Sequence, residues 1–198
     1  MKRSRKGKAS IIESWEAQAI YENFTTPANK LIWQICRYTG ERIGAVLQLK
    51  IENVYFNPAR LVPLPEITFP AESRKKSPGG VASTRQVPII KPLLIELQKF
   101  HLTAQSGWLF PAKTNPSKHL NRQIFDKNFR VAVEKAGLSH RGISLHSLRR
   151  TLITRLHEAG YSIAIIQEIT GHKSINALRQ YIDIEPEAID KAINSVDL

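Results

Sequence analysis

Residues 144–181 read SLHSLRRTLITRLHEAGYSIAIIQEITGHKSINALRQY, and the rest of the chain is organised around them. Leu148, Leu152 and Leu156 recur every four residues with Ile153 beside them, which predicts a helix with one apolar face turned to a core. His146 and Arg149 are three apart and share a face of that helix. Gly160 ends it, Ser162 is placed to cap a second helix over residues 163–170, and Gly171 closes that one. His172 follows directly. Ser174 can cap a third short helix, and Tyr181 is expected on it, nine residues after His172. On this frame His146, Arg149 and His172 can hold a phosphate that Tyr181 attacks. The same residues also suit purely structural roles at helix ends, and their spacing alone leaves the two readings level.

His146-Ser147-Leu148-Arg149-Arg150, then Gly171-His172, then Tyr181 match position by position the signature H-x-L-R-[HR], Gly-His and nucleophilic Tyr of the tyrosine recombinases, the phage-integrase family. The segment resembles the catalytic C-terminal half of that family, and the resemblance runs over roughly residues 10–193. It implies a mostly α fold with a small three-stranded antiparallel β-sheet, an α+β catalytic domain.

Upstream, Thr39-Gly40-Glu41-Arg42 opens a short helix reaching about Leu49. The glycine permits a sharp turn. Arg42 falls at the helix N-terminus, where free N–H groups and a guanidinium fork favour an anion. On the residues alone a surface arginine is the simpler reading. The stretch TGERIGAVLQLK is, however, similar to the family's first-arginine box, T-G-x-R-x-x-E, which assigns Arg42 to the phosphate. Ala45 stands where the family usually carries an acid that orients the arginine.

Residues 51–90 change character. Prolines 58, 63, 65 and 70 punctuate β-leaning runs at 54–56, 66–69 and 84–90. Ser73-Arg74-Lys75-Lys76-Ser77-Pro78-Gly79-Gly80 makes a basic turn between the last two runs, which as a bare pattern is a solvated charged loop. The family carries a catalytic lysine in such a hairpin, followed by R-x-V-P, and Arg85-Gln86-Val87-Pro88 fits that stretch. The resemblance therefore implies Lys75 as the lysine, with Lys76 the second choice, and puts Arg74 and Lys76 against DNA.

The remaining segments read as scaffold. Residues 10–24 pattern as a helix, and Thr26-Pro27 starts a second one that carries the apolar run Leu31 to Cys36. Residues 91–101 form another, with Leu93, Leu94 and Leu97 inward. Gly107-Trp108-Leu109-Phe110-Pro111 resembles a packing turn of the family, and residues 112–119 read as a polar basic loop. Residues 121–136 form a helix burying Ile124, Phe125, Phe129 and Val133. Lys127 and Arg130 lie outside, as phosphate contacts or as ordinary solvated charges. Past Tyr181, Ala188, Ile189, Ala192, Ile193 and Val196 make an apolar stripe on a last short helix.

The chain of 198 residues is long enough for one domain with a real core. Residues 1–9 read as a basic flexible tail and 10–198 as one catalytic domain, with no N-terminal clamp domain visible. The lone Cys36 excludes an internal disulfide framework and sits in an apolar run, as a buried free thiol does. No stretch suits a membrane span or a signal peptide, which favours the cytoplasm. The formal charge of +12 attracts polyanions, chiefly nucleic acid, and the resemblance implies double-stranded DNA as the partner.

The chemistry implied is phosphodiester cleavage. Tyr181 is the nucleophile, Arg42 and Arg149 brace the non-bridging oxygens, and His172 donates a further hydrogen bond. His146 exchanges a proton with the nucleophile, and the hairpin lysine protonates the leaving 5′-oxygen. With arginines supplying the positive charge, no metal or nucleotide cofactor is called for. A site-specific recombinase or integrase, assembling as a tetramer on DNA, is the expected function. A topoisomerase-like nicking and rejoining enzyme and a catalytically weak DNA-binding regulator on the same fold are the alternatives.

Overall fold

A computed structural model describes residues 9–74, 83–172, 174–179, 181 and 194–195. The organising element is α2 (Pro27–Thr39). Thr26 caps it by accepting from the Asn29 N–H, Pro27 occupies its first turn, and Gly40 ends it at φ 62°. Leu31, Ile32, Trp33, Ile35 and Cys36 are buried along it, and the Cys36 thiol is free, as expected, its pKa pushed up by burial. Trp33 stacks on Phe129 at 5.7 Å, and Phe24 on Phe125 at 5.9 Å. Such pairs add about 0.5–1.5 kcal/mol each beyond the area they bury. They join α2 and the connection before it to α5 (Arg122–Lys135).

Around α2 pack α1 (Ser14–Glu22), α3 (Ile43–Leu47), α4 (Lys91–Lys99) and α6 (Leu145–Glu158). The N-terminal helix starts four residues later than its pattern suggests. Residues 10–12 give their hydrogen bonds to α6 and its approach instead: the Ile12 N–H donates to Thr151 Oγ1 at 2.9 Å, and Ser10 Oγ to the Arg141 carbonyl. Tertiary donors and acceptors there displace the local helical ones.

Strands β1 (Tyr55–Asn57) and β2 (Val62–Pro63) form one ladder, and β3 (Glu66–Phe69) and β4 (Arg85–Pro88) a second. A third joins β5 (Pro111–Ala112) to β6 (Asn115–His119), so a hairpin stands where a polar loop was expected. The α+β character is borne out, but the single three-stranded sheet is replaced by these two-stranded ladders among the described residues. Pro63 and Pro65 flank Leu64 at the junction of β2 and β3, and neither has an N–H to give to a shared ladder. In the second ladder Ile67 faces Val87 and Phe69 faces Arg85. Val87 is buried, so the period of two carries Arg85 inward with it.

Ile124, expected inward, is 50% exposed, while Phe125, Phe129, Ala132 and Val133 fill the buried side of α5. The apolar arc of α5 is simply rotated by one position. Beyond α6, α7 (Ile163–Thr170) and α8 (Ile175–Arg179) enclose a small second cluster of Ile153, Ile166 and Leu178. The expected last helix, the basic tail and both hairpin lysines fall on residues outside the described ones, apart from Ala9 and 194–195. No helix among the described residues is long and apolar enough to cross a membrane.

Candidate active site

Helix α6 begins at Ser144, which exchanges capping hydrogen bonds with Ser147, and this start presents His146 at an exposed position in the first turn. Arg149, one turn on, is 3% exposed. Its Nη1 donates to the Gly40 carbonyl at 2.7 Å and its Nη2 to the Thr170 carbonyl at 2.8 Å. Both carbonyls belong to helix C-terminal ends, of α2 and α7, whose partial negative charge suits a buried cation. Burial first, and then the neighbouring Arg42 charge, lower the Arg149 pKa to about 10, which leaves it charged at neutral pH. Its Nε is buried without a hydrogen-bond partner among the described residues, a donor in surplus.

Arg42 is the N-cap residue of α3, as expected. It shares with His146 and Arg149 a cleft of about 430 Å³ that Arg74, Arg122 and Ala45 also line. Ala45 is buried in that wall, so the acid usual at its position is absent. The negative charge comes from Glu41 instead. Glu41 is 3% exposed and pairs with Arg85 Nη1 at 2.8 Å and Arg74 Nε at 3.3 Å, while its other oxygen accepts the Arg42 N–H at 2.8 Å. Burial raises its pKa, but the Arg42 N–H and the Arg85 and Arg74 charges outweigh that and hold it below the ordinary carboxylate value. Arg85 also donates to the Thr39 carbonyl at 2.9 Å. Two guanidiniums, from Arg74 and Arg85, thus pair directly with the Glu41 carboxylate, those of Arg42 and Arg149 stand in the same cleft, and the surplus positive charge favours an anion.

Helix α7 is capped by Ser162, which accepts from the Ile165 N–H, and closes at Gly171 with φ 64°. Glycine is required there twice over: a Cβ would lie 2.5 Å from Arg74 Nη2 and 3.0 Å from Arg85 Cδ. His172 follows, 8% exposed, with Nδ1 2.6 Å from Thr170 Oγ1. Burial and then the Arg149 charge lower its pKa to about 3, so the ring is neutral near pH 7. Tyr181 lies beyond the end of α8 rather than on it, its N–H bonded to the Leu178 carbonyl at 2.8 Å. Its ring centroid is 6.0 Å from that of His172, and Thr154 Oγ1 donates to its carbonyl at 3.3 Å.

Arg42, His146, Arg149, His172 and Tyr181 are therefore brought together from three separate stretches of chain. Lys75 and Lys76 lie outside the described residues. Arg74, expected on DNA, has a side chain only 8% exposed and is committed to Glu41 and to the Ser83 carbonyl at 2.6 Å, because the buried carboxylate needs it. Lys127 and Arg130 are exposed on α5 as expected, Arg130 paired with Asp126 at 2.8 Å. The sequence reading passed over Glu41, Arg122 and Thr170 and took Arg85 only as part of a motif. One signal was available: alternation with Val87 turns Arg85 inward, and a buried arginine demands an acid.

The chain belongs to the phage integrase family, whose profile matches residues 11–188. It is 31% identical over 168 residues to the tyrosine recombinase XerD of Brucella suis biovar 1 (strain 1330), covering 78% of this chain and 54% of that protein. It spans about half the length of the curated relatives it matches. In fold it is similar to the catalytic domain of bacteriophage HP1 integrase, with a TM-score of 0.62, 22% identity and 95% of each chain covered. It is also similar to the XerH site-specific recombinase bound to its difH substrate in a pre-cleavage complex. There the TM-score is 0.67 at 21% identity, over 98% of this chain and 56% of that one.

Proposed function

We propose that this chain is the catalytic part of a tyrosine-type DNA breaking-and-rejoining enzyme, a site-specific recombinase or integrase acting on double-stranded DNA, with residues 10–198 forming one catalytic domain. The observation that carries the reading is the meeting of Arg42, Arg149, His172 and Tyr181 around a surplus of buried positive charge. The naming of the XerD relative as a tyrosine recombinase supports it.

In this reading Tyr181 Oη attacks the phosphorus of a DNA phosphodiester, the bond to the 5′-oxygen breaks, and a 3′-phosphotyrosine forms. The phenol proton passes to His146, and the leaving oxygen takes a proton from Lys75, or from Lys76 in the alternative register. Arg42 and Arg149 hold the non-bridging oxygens as charge builds, the Arg149 guanidinium already fixed by the two helix-end carbonyls it bridges. Glu41 keeps the arginines apart and oriented. The phosphotyrosine retains the bond energy, so a 5′-hydroxyl of another strand reverses the step. Lys127 and Arg130, with Lys76 at the hairpin, supply phosphate contacts. Exchanging both strands of two duplexes takes four cleavages, which is why self-association as a tetramer on DNA belongs to the proposal.

The test is incubation with a nicked duplex carrying the target site, followed by detection of a protein–DNA adduct through a 3′-phosphate. Wild type forms it and Tyr181→Phe does not. No adduct from wild type, or the same yield from Tyr181→Phe, sinks the reading and leaves a DNA-binding regulator. Adduct formation without strand exchange between two duplexes points to nicking and rejoining alone.

A further inference from the structure

Thr170 is fully buried at the end of α7, and its hydroxyl has two partners at the same distance. Oγ1 lies 2.6 Å from the Ile166 carbonyl oxygen and 2.6 Å from His172 Nδ1. A hydroxyl has one proton to give, and a carbonyl oxygen can only accept. Two acceptors at that separation without a proton between them repel, so the hydroxyl proton belongs to Ile166. The second short contact then needs a proton from the ring. We propose that Thr170 is a positioning residue that fixes neutral His172 as the Nδ1–H tautomer, leaving Nε2 as a lone-pair acceptor. Arg149 does not alter this. Its Nη2 is 3.2 and 3.1 Å from the two ring nitrogens and so lies across the ring, in line with neither lone pair, while donating to the Thr170 carbonyl.

The consequence deepens the proposed function and rests on it. With Nδ1–H held by Thr170, His172 gives a hydrogen bond to a phosphoryl oxygen only after Nε2 takes up a proton. Arg149 from α6, Arg42 from the start of α3 and Arg85 from β4 oppose that uptake; Glu41 favours it, and Tyr181 packs beside the ring. A bound phosphodiester adds the missing negative charge. The histidine is then a donor in the occupied site and an acceptor in the empty one.

Long-range proton–nitrogen correlation spectra of the nitrogen-15-labelled free protein at pH 7 read the tautomer directly, with His172→Gln identifying the signal. Wild type and Thr170→Ser are expected to show a protonated Nδ1 and a bare Nε2. Thr170→Val, which keeps the shape and loses the oxygen, is expected to move the proton to Nε2. An Nε2–H ring in wild type overturns the proposal even where the valine variant does not fold, and so does an unchanged Nδ1–H ring in a folded Thr170→Val. In adduct formation on nicked DNA, wild type and Thr170→Ser lose rate on the alkaline side and Thr170→Val does not; an identical profile in Thr170→Val breaks the link from tautomer to catalysis. Absence of any adduct counts against the recombinase reading alone, because the spectra are recorded without DNA.

Discussion

At Glu41 one carboxylate meets Arg85 at 2.8 Å and Arg74 at 3.3 Å while capping the Arg42 N–H. Removing its charge leaves two buried guanidiniums without their counterion. Glu41→Gln is therefore expected to destabilise the fold by about 3–5 kcal/mol, the usual cost of breaking a buried pair from one side. Urea unfolding measures it; a loss under 1 kcal/mol would show that solvent reaches the pair. The depressed pKa gives the pH sense. Glu41 contributes stability that is present above the ordinary carboxylate value of 4.5 and is lost as pH falls through its lower folded value. His172 acts earlier. Its pKa falls from 6.5 to about 3 on folding, so below 6.5 the unfolded chain binds a proton that the native ring does not. Stability then declines with falling pH by at most about 1.4 kcal/mol per unit. His172→Gln should flatten that decline between pH 6.5 and 3, as read by unfolding at stepped pH. An unchanged slope would mean that the ring titrates normally.

Helix α7 owes its place to its ends. Ser162 fixes where it starts, and Gly171 lets its last turn close against Arg74 and Arg85. Two glycine variants separate the backbone cost from the packing cost. Gly137 has φ 73° and nothing within 4 Å of a Cβ, whereas Gly171 has φ 64° and a Cβ site 2.5 Å from Arg74 Nη2. Gly137→Ala should cost only the left-handed penalty, about 1–2 kcal/mol. Gly171→Ala should cost measurably more, since Arg74 is held by Glu41 and Ser83 and cannot swing aside freely. Thermal unfolding of the pair decides it; equal losses would show that Arg74 yields. Arg149 also ties α7 to α2, through the carbonyls at their ends.

Across the whole molecule, apolar burial is uneven. The main cluster spans α1 to α6, with Trp33, Phe69, Phe110, Phe125 and Phe129 fully buried, while among the described residues α7 and α8 close over a fully buried set of just Ile153, Ile166 and Leu178. Tyr181 packs on that smaller cluster. Local opening follows local burial, so amides of α7 and α8 should exchange with solvent faster than those of α2 at neutral pH. Equal protection in hydrogen-exchange mass spectrometry would show one cooperative unit. Faster exchange in α7 and α8 would place Tyr181 on the less protected part of the described fold. At the same scale, the +12 charge predicts that DNA affinity falls steeply and linearly on a log–log plot against salt. A flat plot would remove the electrostatic argument for DNA.

The residue pattern by itself determined the ends of α2 and α7. Thr26, Ser162, Gly40 and Gly171 act within one turn, so their roles could be read from neighbours in the chain. The same local order singled out Arg42, His146, Arg149, His172 and Tyr181 as candidates, because the family's motifs are short and contiguous. Only the tertiary structure decided what sets these groups. Glu41 meets Arg85 across 44 positions of chain, and Arg149 meets Gly40 across 109. Capping and periodicity carry no information over such separations. Nor could composition tell that Glu41 would be buried between Arg85 and Arg74, or that the Thr170 hydroxyl would lie 2.6 Å from both the Ile166 carbonyl and His172 Nδ1. Those outcomes depend on which polar groups are shut away from water together, and that is settled by packing, not by sequence order.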